Sequence, residues 1–433
     1  MLRLRVAGRW SPALATLGAL TAVASLSGCA QTGYTAPPEP VFTAGVRAAP
    51  ASTDPAPAGP SGRPAAAVAE IDPADVARDL APGESERDDA GWSPDDLVLT
   101  DDAGVAVPNF SGWAAFDAAL SRRLVPANWS AGVAVMVDGE VVHAAAYGER
   151  APGDPAAPTD RFRVASISKT ITAIVAMQLV EEGLLGLDDP IGAVVAGYVG
   201  VQPGDPDVNA LTLRRLLSHT SGFPRAEGVF FSNGAASCAD AAARALAGSL
   251  PATAGYRYSN MNYCVVGLLI EAVTGMTYER VVHARLLTPL GIEGMRLTST
   301  YEVGPDEVAH HPSPNRNFME TLGAAGAWNA TPTDLVRILN SIDPDTSGWK
   351  ALSPESMQAM QPPAHGGYGL GLIRYPNGWG HTGTIQNTHA MVLAQDDGLT
   401  WAVTVAGDYP SESSDLARII HGALAEAFGA GRS

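Results

Sequence analysis

Ser166 and Lys169 stand three residues apart at the head of an apolar stretch, 163–183, in which Ile167, Ile171, Ile174, Val175 and Leu179 recur at helical spacing. Three residues is close to one helical turn, so the lysine amine and the serine hydroxyl share a face. The other faces are also mostly apolar, which predicts a helix buried on most sides, with Gly183 as its C′ stop. Ser166 falls at the helix start, where unpaired backbone N–H groups and the positive dipole end lie. A lysine in an apolar helix is costly unless it has partners or a task. The task this spacing suggests is removal of the Ser166 proton, leaving a nucleophilic alkoxide. Lysine suits that task because it can deprotonate when desolvated, whereas arginine cannot. The choice stands out in a chain with 27 Lys and Arg residues, of which only Lys169 and Lys350 are lysine. Lys350 closes a second S-x-x-K with Ser347, but among Asp343, Pro344, Asp345, Gly348 and Pro354. That is turn composition with no apolar helix behind it, and it reads as chance.

Acyl transfer also needs a second proton-relay group, an oxyanion hole and a wall for the substrate. Tyr258-Ser259-Asn260 follows Gly255 and directly precedes an apolar helix. A phenol beside an ammonium is held near its phenolate form, which makes Tyr258 a candidate base and leaving-group acid. Asn260 offers an amide to orient Lys169 and a substrate carbonyl. Y-x-N alone is weak, since Tyr375-Pro376-Asn377 matches it too, and a core tyrosine at a helix entrance is the plain alternative. His381-Thr382-Gly383-Thr384 stands just before a strand pair. Its glycine permits close approach of a substrate backbone, and an edge strand can pair with an acyl-amide. The Thr384 N–H and the Ser166 N–H are the candidate oxyanion hole, and the Thr382 and Thr384 hydroxyls are candidate partners for a substrate carboxylate. A Gly-bounded strand entry with a surface histidine is the structural alternative.

The elements that must position these groups are legible around them. A helix spans 116–124. Apolar runs 131–137 and 141–147 flank Asp138-Gly139, a hairpin signal. Thr212 is the expected N-cap of a short helix over 212–217, broken by His219-Thr220-Ser221-Gly222; a structural role is expected for His219. Further helices fall at 238–247 and 260–274, the latter closed by Gly275. Strands return at 379–383, 390–394 and 401–406, with a turn at Asp396-Asp397-Gly398, before a last helix over 414–428. Strands at both ends with helices between predict an α+β fold: one antiparallel sheet built from the two chain ends, flanked by helices, plus a helical lobe.

The N-terminus reads as a processing signal. Arg3, Arg5 and Arg9 precede a short apolar run, 12–25, too short to span a bilayer comfortably. It ends in Leu26-Ser27-Gly28-Cys29, which looks like a bacterial lipoprotein box. That resemblance implies removal of residues 1–28, lipidation of Cys29, export, and tethering at the cell envelope through the acyl chains. Residues 29–105, rich in Pro, Ala, Gly and Asp, are expected to form an extended stalk. One catalytic unit then fills 106–433. The net charge of −18 argues against a nucleic-acid partner. No cofactor is called for. His310-His311 is not a metal pair, since adjacent residues do not face one site, and no H-E-x-x-H occurs; no metal is expected. Export permits a disulfide between Cys238 and Cys264, the alternative being two buried thiols.

S-x-x-K, Y-x-N and H-T-G in that order, with Leu187-Asp188-Asp189-Pro190, the 211–222 stretch and Pro289-Leu290-Gly291, resemble the serine β-lactamase and penicillin-binding-protein superfamily over about residues 110–430. The Tyr-x-Asn element is similar to class C β-lactamases. Histidine at 381, where β-lactamases carry lysine, is similar to the D-alanyl-D-alanine carboxypeptidase group. The resemblance implies a β-lactamase-like fold and a Ser166 acyl-enzyme in which Lys169 and Tyr258 share the base role. It implies that His381, if protonated, assists electrostatically and makes activity pH-sensitive near neutrality. Arg374, shortly before His381, is a candidate for binding a terminal carboxylate. The expected substrates are a small peptide, a β-lactam or an ester, handled by a monomer. A short-chain esterase, a D-amino-acid peptidase and a catalytically silent surface-tethered binding domain remain as alternatives.

Overall fold

Apolar side chains alternate along the central strands and so serve two separate cores, one on each face of a single sheet. The computed structural model describes residues 93–100, 106–108, 110–312, 314, 316–362 and 367–429; the expected signal peptide and Cys29 lie outside them. Three strands come from the early chain: β1 (Asn128–Val137), β2 (Glu140–Ala151) and β3 (Asp154–Pro155). Five come from the late chain: β4 (Gly367–Tyr368), β5 (Ile373–Tyr375), β6 (Gly378–Ile385), β7 (Thr388–Gln395) and β8 (Leu399–Gly407). Their order across the eight-stranded sheet is β3-β2-β1-β8-β7-β6-β5-β4, antiparallel throughout. The β1–β8 ladder therefore joins the two ends of the chain, as the α+β reading expects. Asp138 and Gly139 turn the β1–β2 hairpin with φ of +47° and +87°, the paired positive values a two-residue I′ turn demands.

On one face, α1 (Phe110–Leu124) and α6 (Asp415–Phe428) cover Val133, Val135, Met391, Leu393, Trp401, Val403 and Val405. Leu97 is buried in that same core, and Pro94–Leu97 forms a 3₁₀ turn whose strand Val98–Thr100 pairs with Ala106–Pro108. The stalk boundary expected at 105 is thus too late. The run Leu97-Val98-Leu99 is too short to show a period, and only the α1–α6 face shows what Leu97 covers.

On the other face, Ala134, Met136, Ala390, Val392, Ala394 and Ala402 meet the helical segment. Its helices include α2 (Ser168–Glu181), α3 (Leu213–Leu217), α4 (Cys238–Leu246) and α5 (Asn260–Thr274). Helix α2 is buried from Ser168 to Leu179. It ends in a Schellman motif: Gly183, at φ +70°, donates to the Val180 carbonyl, and Leu184 donates to that of Leu179. Thr212 caps α3 by accepting from the Arg215 N–H, and Gly275 at φ +67° ends α5.

Cys238 and Cys264 are bridged, tying the start of α4 to α5. The link closes a loop with a sequence separation of 26. Cross-links over loops of this size contribute about 2–4 kcal/mol, chiefly by restricting the unfolded chain. The Cys238→Ser/Cys264→Ser variant should therefore unfold at a clearly lower urea concentration than the oxidised protein. An unchanged midpoint would show that the bridge adds nothing.

Candidate active site

The chain enters the site along a short strand, Phe162–Arg163, paired with Asn329–Ala330. It then turns through Ala165, whose φ of +47° is unusual for a residue with a Cβ. Residues Ala165–Ile167 form a 3₁₀ turn, and α2 begins only at Ser168. The expected helix start at Ser166 is thus displaced by two residues. Alanine in a left-handed conformation gives no sequence signal, because glycine is the residue that announces it. The turn still leaves Ser166 and Lys169 on one face. Both are buried, with Ser166 4% and Lys169 0% exposed.

Lys169 Nζ lies 2.8 Å from Ser166 Oγ, 2.7 Å from Asn260 Oδ1 and 2.8 Å from the Ala325 carbonyl oxygen. Tyr258 completes the group, its hydroxyl 2.8 Å from Ser166 Oγ. Asn260 is the first residue of α5, and Tyr258 stands two residues before it. Ser259 caps the helix between them, accepting from the Met261 N–H. The frame accommodates two proton arrangements. With a neutral lysine, Tyr258 donates to Ser166, Ser166 donates to Lys169, and the amine donates to Asn260 and Ala325. With an ammonium and a Tyr258 phenolate, the amine donates to Ser166, Asn260 and Ala325, and Ser166 donates to the phenolate. Either way the Ser166 proton has an acceptor within hydrogen-bonding reach.

Strand β6 forms the opposite wall. It pairs with β7 along its whole length but with β5 only through Gly378, Trp379 and Gly380. From His381 to Ile385 its outer edge therefore has no strand neighbour among the described residues, and the 164–166 turn packs over the sheet face at Gly383. A Cβ on Gly383 would come within 2.1 Å of the Val164 carbonyl and 3.1 Å of the Ser166 nitrogen. Glycine is the only residue that permits this approach, which brings the Gly383 backbone against the turn that carries Ser166. The Thr384 hydroxyl is hydrogen-bonded to Ser413, whose hydroxyl also donates to the Gly383 carbonyl at 2.9 Å. Thr382 is buried, with 5% of its surface exposed.

Two expectations for this wall need correcting. Arg374, the middle residue of β5 and paired opposite Trp379, makes a two-pronged ion pair with Asp396, at 3.0 and 2.6 Å. It is committed to that carboxylate rather than to the pocket. His381 is fully buried. Burial, and then the charge of Lys169, push its pKa down to about 3. Its Nδ1–H donates to the Thr382 carbonyl at 2.5 Å, and its Nε2 accepts from the Tyr368 hydroxyl at 3.0 Å. It stays neutral across the physiological range, so the pH sensitivity expected of a protonated histidine does not arise here.

Several partners carried no motif. Tyr368 sits on the two-residue strand β4, and Ala325 contributes only its backbone, from the loop Gly323-Ala324-Ala325-Gly326. The small-residue run of that loop was the one available hint that a backbone approaches something closely. In the second S-x-x-K the two side chains do not pair: Ser347 Oγ donates to the Asp138 carbonyl, while Lys350 Nζ donates to Asn340 O at 2.9 Å and to the Ser347 backbone carbonyl at 3.3 Å. Tyr375 of the second Y-x-N is buried in the other core.

Neutral buried histidines have a consequence for stability. Burial, joined by the Arg163 charge, lowers His310 to about 4, and burial alone lowers His389 to about 4. Burial, and then the charge of Lys169, hold His219 well below its usual value. Each of these groups binds a proton more readily in the unfolded chain, where its pKa is about 6.5. Their contribution is thus complete above about pH 6.5 and is lost as pH falls toward the folded values, at up to about 1.4 kcal/mol per pH unit for each histidine. Asp334 and Asp343, whose pKa values burial raises, act in the opposite sense. The urea midpoint should fall steeply between pH 6.5 and 4. A flat midpoint over that window would contradict the neutral assignment.

Comparison with known proteins places this arrangement. Residues 122–425 match the family model described as Beta-lactamase. The chain is 29% identical over 354 residues to penicillin-binding protein 4 of Amycolatopsis lactamdurans, covering 72% of this chain and 88% of that one. It is 27% identical over 228 residues to the D-alanyl-D-alanine-carboxypeptidase/endopeptidase AmpH of Escherichia coli K12, covering 47% of this chain and 54% of that protein. Among solved structures, a D-stereospecific amidohydrolase from Streptomyces sp. superposes with a TM-score of 0.56 at 26% identity, covering 74% of this chain and 99% of the other.

Proposed function

The chain belongs to the Beta-lactamase family of serine hydrolases, and on that premise we propose that it cleaves an amide or ester bond through a Ser166 acyl-enzyme, with a short peptide of the D-alanyl-D-alanine type as its foremost substrate class. The observation that carries this reading is a buried hydroxyl held at 2.8 Å by both an amine and a phenol. In acylation the Ser166 proton passes to Lys169 or Tyr258 as Oγ bonds to the substrate carbonyl carbon. The carbonyl oxygen, now an anion, is received by the Ser166 and Thr384 N–H groups. Tyr258 hands a proton to the departing amine as the C–N bond breaks. Water, activated by the same pair, then attacks the ester and returns the proton to Ser166. The open edge of β6 beyond Gly380 suits an extended acyl-amide laid alongside it.

The names of the relatives include a carboxypeptidase and an amidohydrolase acting on D-configured substrates, which favours a peptide or amide over a β-lactam as the turned-over substrate. A fluorophosphonate or fluorescent penicillin should label the wild type and not Ser166→Ala. Absence of label on the wild type would sink the proposal. Comparing a D-Ala-D-Ala peptide, a D-amino-acid amide, nitrocefin and p-nitrophenyl acetate then ranks the substrates, and label without turnover of any of them would favour the silent binding domain. The proposal includes export and anchoring through Cys29. The mass of the mature N-terminus tests that part, and an unmodified Cys29 in membrane-free protein would remove it.

A further inference from the structure

His219 touches the relay from three sides. Its backbone carbonyl accepts from the Arg257 N–H at 2.8 Å, and its Nδ1 accepts from the Ser259 N–H at 3.2 Å. Both chain neighbours of Tyr258 are thus fastened to one residue. The imidazole also lies against the phenol itself, with ring centroids 4.3 Å apart and a tilt of 36°. Nδ1 takes a second hydrogen bond, 2.8 Å from Asn262 Nδ2 in the first turn of α5, and Asn262 is held in turn by Ser221. The ring also meets Tyr368, the partner of His381, at 4.6 Å. The residue is fully buried and its backbone sits at φ +56°, a conformation that side chains with a Cβ rarely adopt.

With Nδ1 accepting twice, the ring proton belongs on Nε2. That nitrogen is buried and has no hydrogen-bond partner among the described residues. A residue kept only to fill volume would not carry this cost, since a phenyl ring fills the same space with no polar atom to desolvate. The placement of Nδ1 is what phenylalanine cannot supply.

We propose that His219 is a positioning residue for Tyr258, setting the height and angle of the phenol over Ser166 through Nδ1 and the face of its ring. This rests on the acyl-enzyme reading above. It predicts losses that follow the chemistry of Tyr258 rather than the stability of the fold. His219→Phe should lower kcat for an amide substrate about 100-fold, the scale of a displacement near 1 Å, with KM little changed. Activated esters, whose leaving group needs no proton, should suffer far less. His219→Asn, which keeps an acceptor near the Nδ1 position, should recover most of the loss. In a Tyr258→Phe background, His219→Phe should add almost nothing, because what it positions is gone. Leu246→Ala in α4 serves as a control that loses buried volume and melting temperature but keeps kcat. Should His219→Phe not fold, His219→Gln carries the same cycle, since its amide sits beyond the Nδ1 position. Equal losses on amide and activated ester, or additive losses in the double variant, would overturn the proposal while leaving the acyl-enzyme intact. A wild type that takes no fluorophosphonate label would overturn both.

Discussion

Lys169→Met is expected to slow acylation of Ser166 about 10³-fold, within the range that general-base groups supply. Methionine nearly matches the lysine stem in length, so the loss isolates the amine. Three contacts go at once: those to Ser166 Oγ, Asn260 Oδ1 and the Ala325 carbonyl. The first removes the proton acceptor. The other two leave buried acceptors short of a donor, which costs about 1–3 kcal/mol for each group left unsatisfied, partly offset because a buried amine no longer needs accommodation. Lys169→Arg separates these effects. Arginine restores positive charge and donors but cannot give up its proton near neutral pH. If the amine acts as a base, Lys169→Arg is as slow as Lys169→Met. If it acts only as a charge, Lys169→Arg approaches the wild type. The rate of fluorophosphonate labelling, with melting temperature measured in parallel, decides between them. Labelling of Lys169→Arg within about tenfold of wild type, against the 10²–10⁴ expected of a base, would remove the lysine from that role.

Tyr258→Phe is the second large effect. The ring survives, and with it the packing on His219 at 4.3 Å. Only the hydroxyl 2.8 Å from Ser166 Oγ is lost. An amine cannot depart from a tetrahedral intermediate without a proton, whereas p-nitrophenolate can. Turnover of an amide should therefore fall by about 10²–10⁴, while acylation by p-nitrophenyl acetate falls at least about tenfold less. That gap is the signature of a leaving-group acid. Equal losses on the two substrates would confine Tyr258 to orienting Ser166 and would shift the leaving-group proton to Lys169.

Much of this site could be read before any fold was known, and the particulars show why. The Ser166–Lys169 spacing is a statement about one helical turn, so it survives even though α2 starts two residues later than expected. The Asp138-Gly139 hairpin, the Thr212 cap and the glycine stops at 183 and 275 depend on φ angles and hydrogen bonds within a few residues. Arg374 shows the opposite case. An arginine near a motif says nothing of its partner, and Asp396, 22 residues on, becomes its neighbour only when β5, β6 and β7 lie side by side. The ionisation state of His381 was equally out of reach. A histidine's unperturbed pKa sits near neutrality, and only complete burial beside Lys169 moves it to about 3. Tyr368 and the Ala325 carbonyl belong to no motif because their contribution is place, not type.

The amino-acid order alone determined which groups could do the chemistry and how each is presented locally, because helical period, caps and turns are settled over one or two turns of chain. Tertiary structure alone decided which of those groups meet. The contacts of Lys169 with Asn260 and Ala325 span 91 and 156 residues, and that of Tyr258 with Ser166 spans 92. Their partners, and the dryness that sets their charges, exist only once the sheet and the helical segment have closed on each other and shut out water.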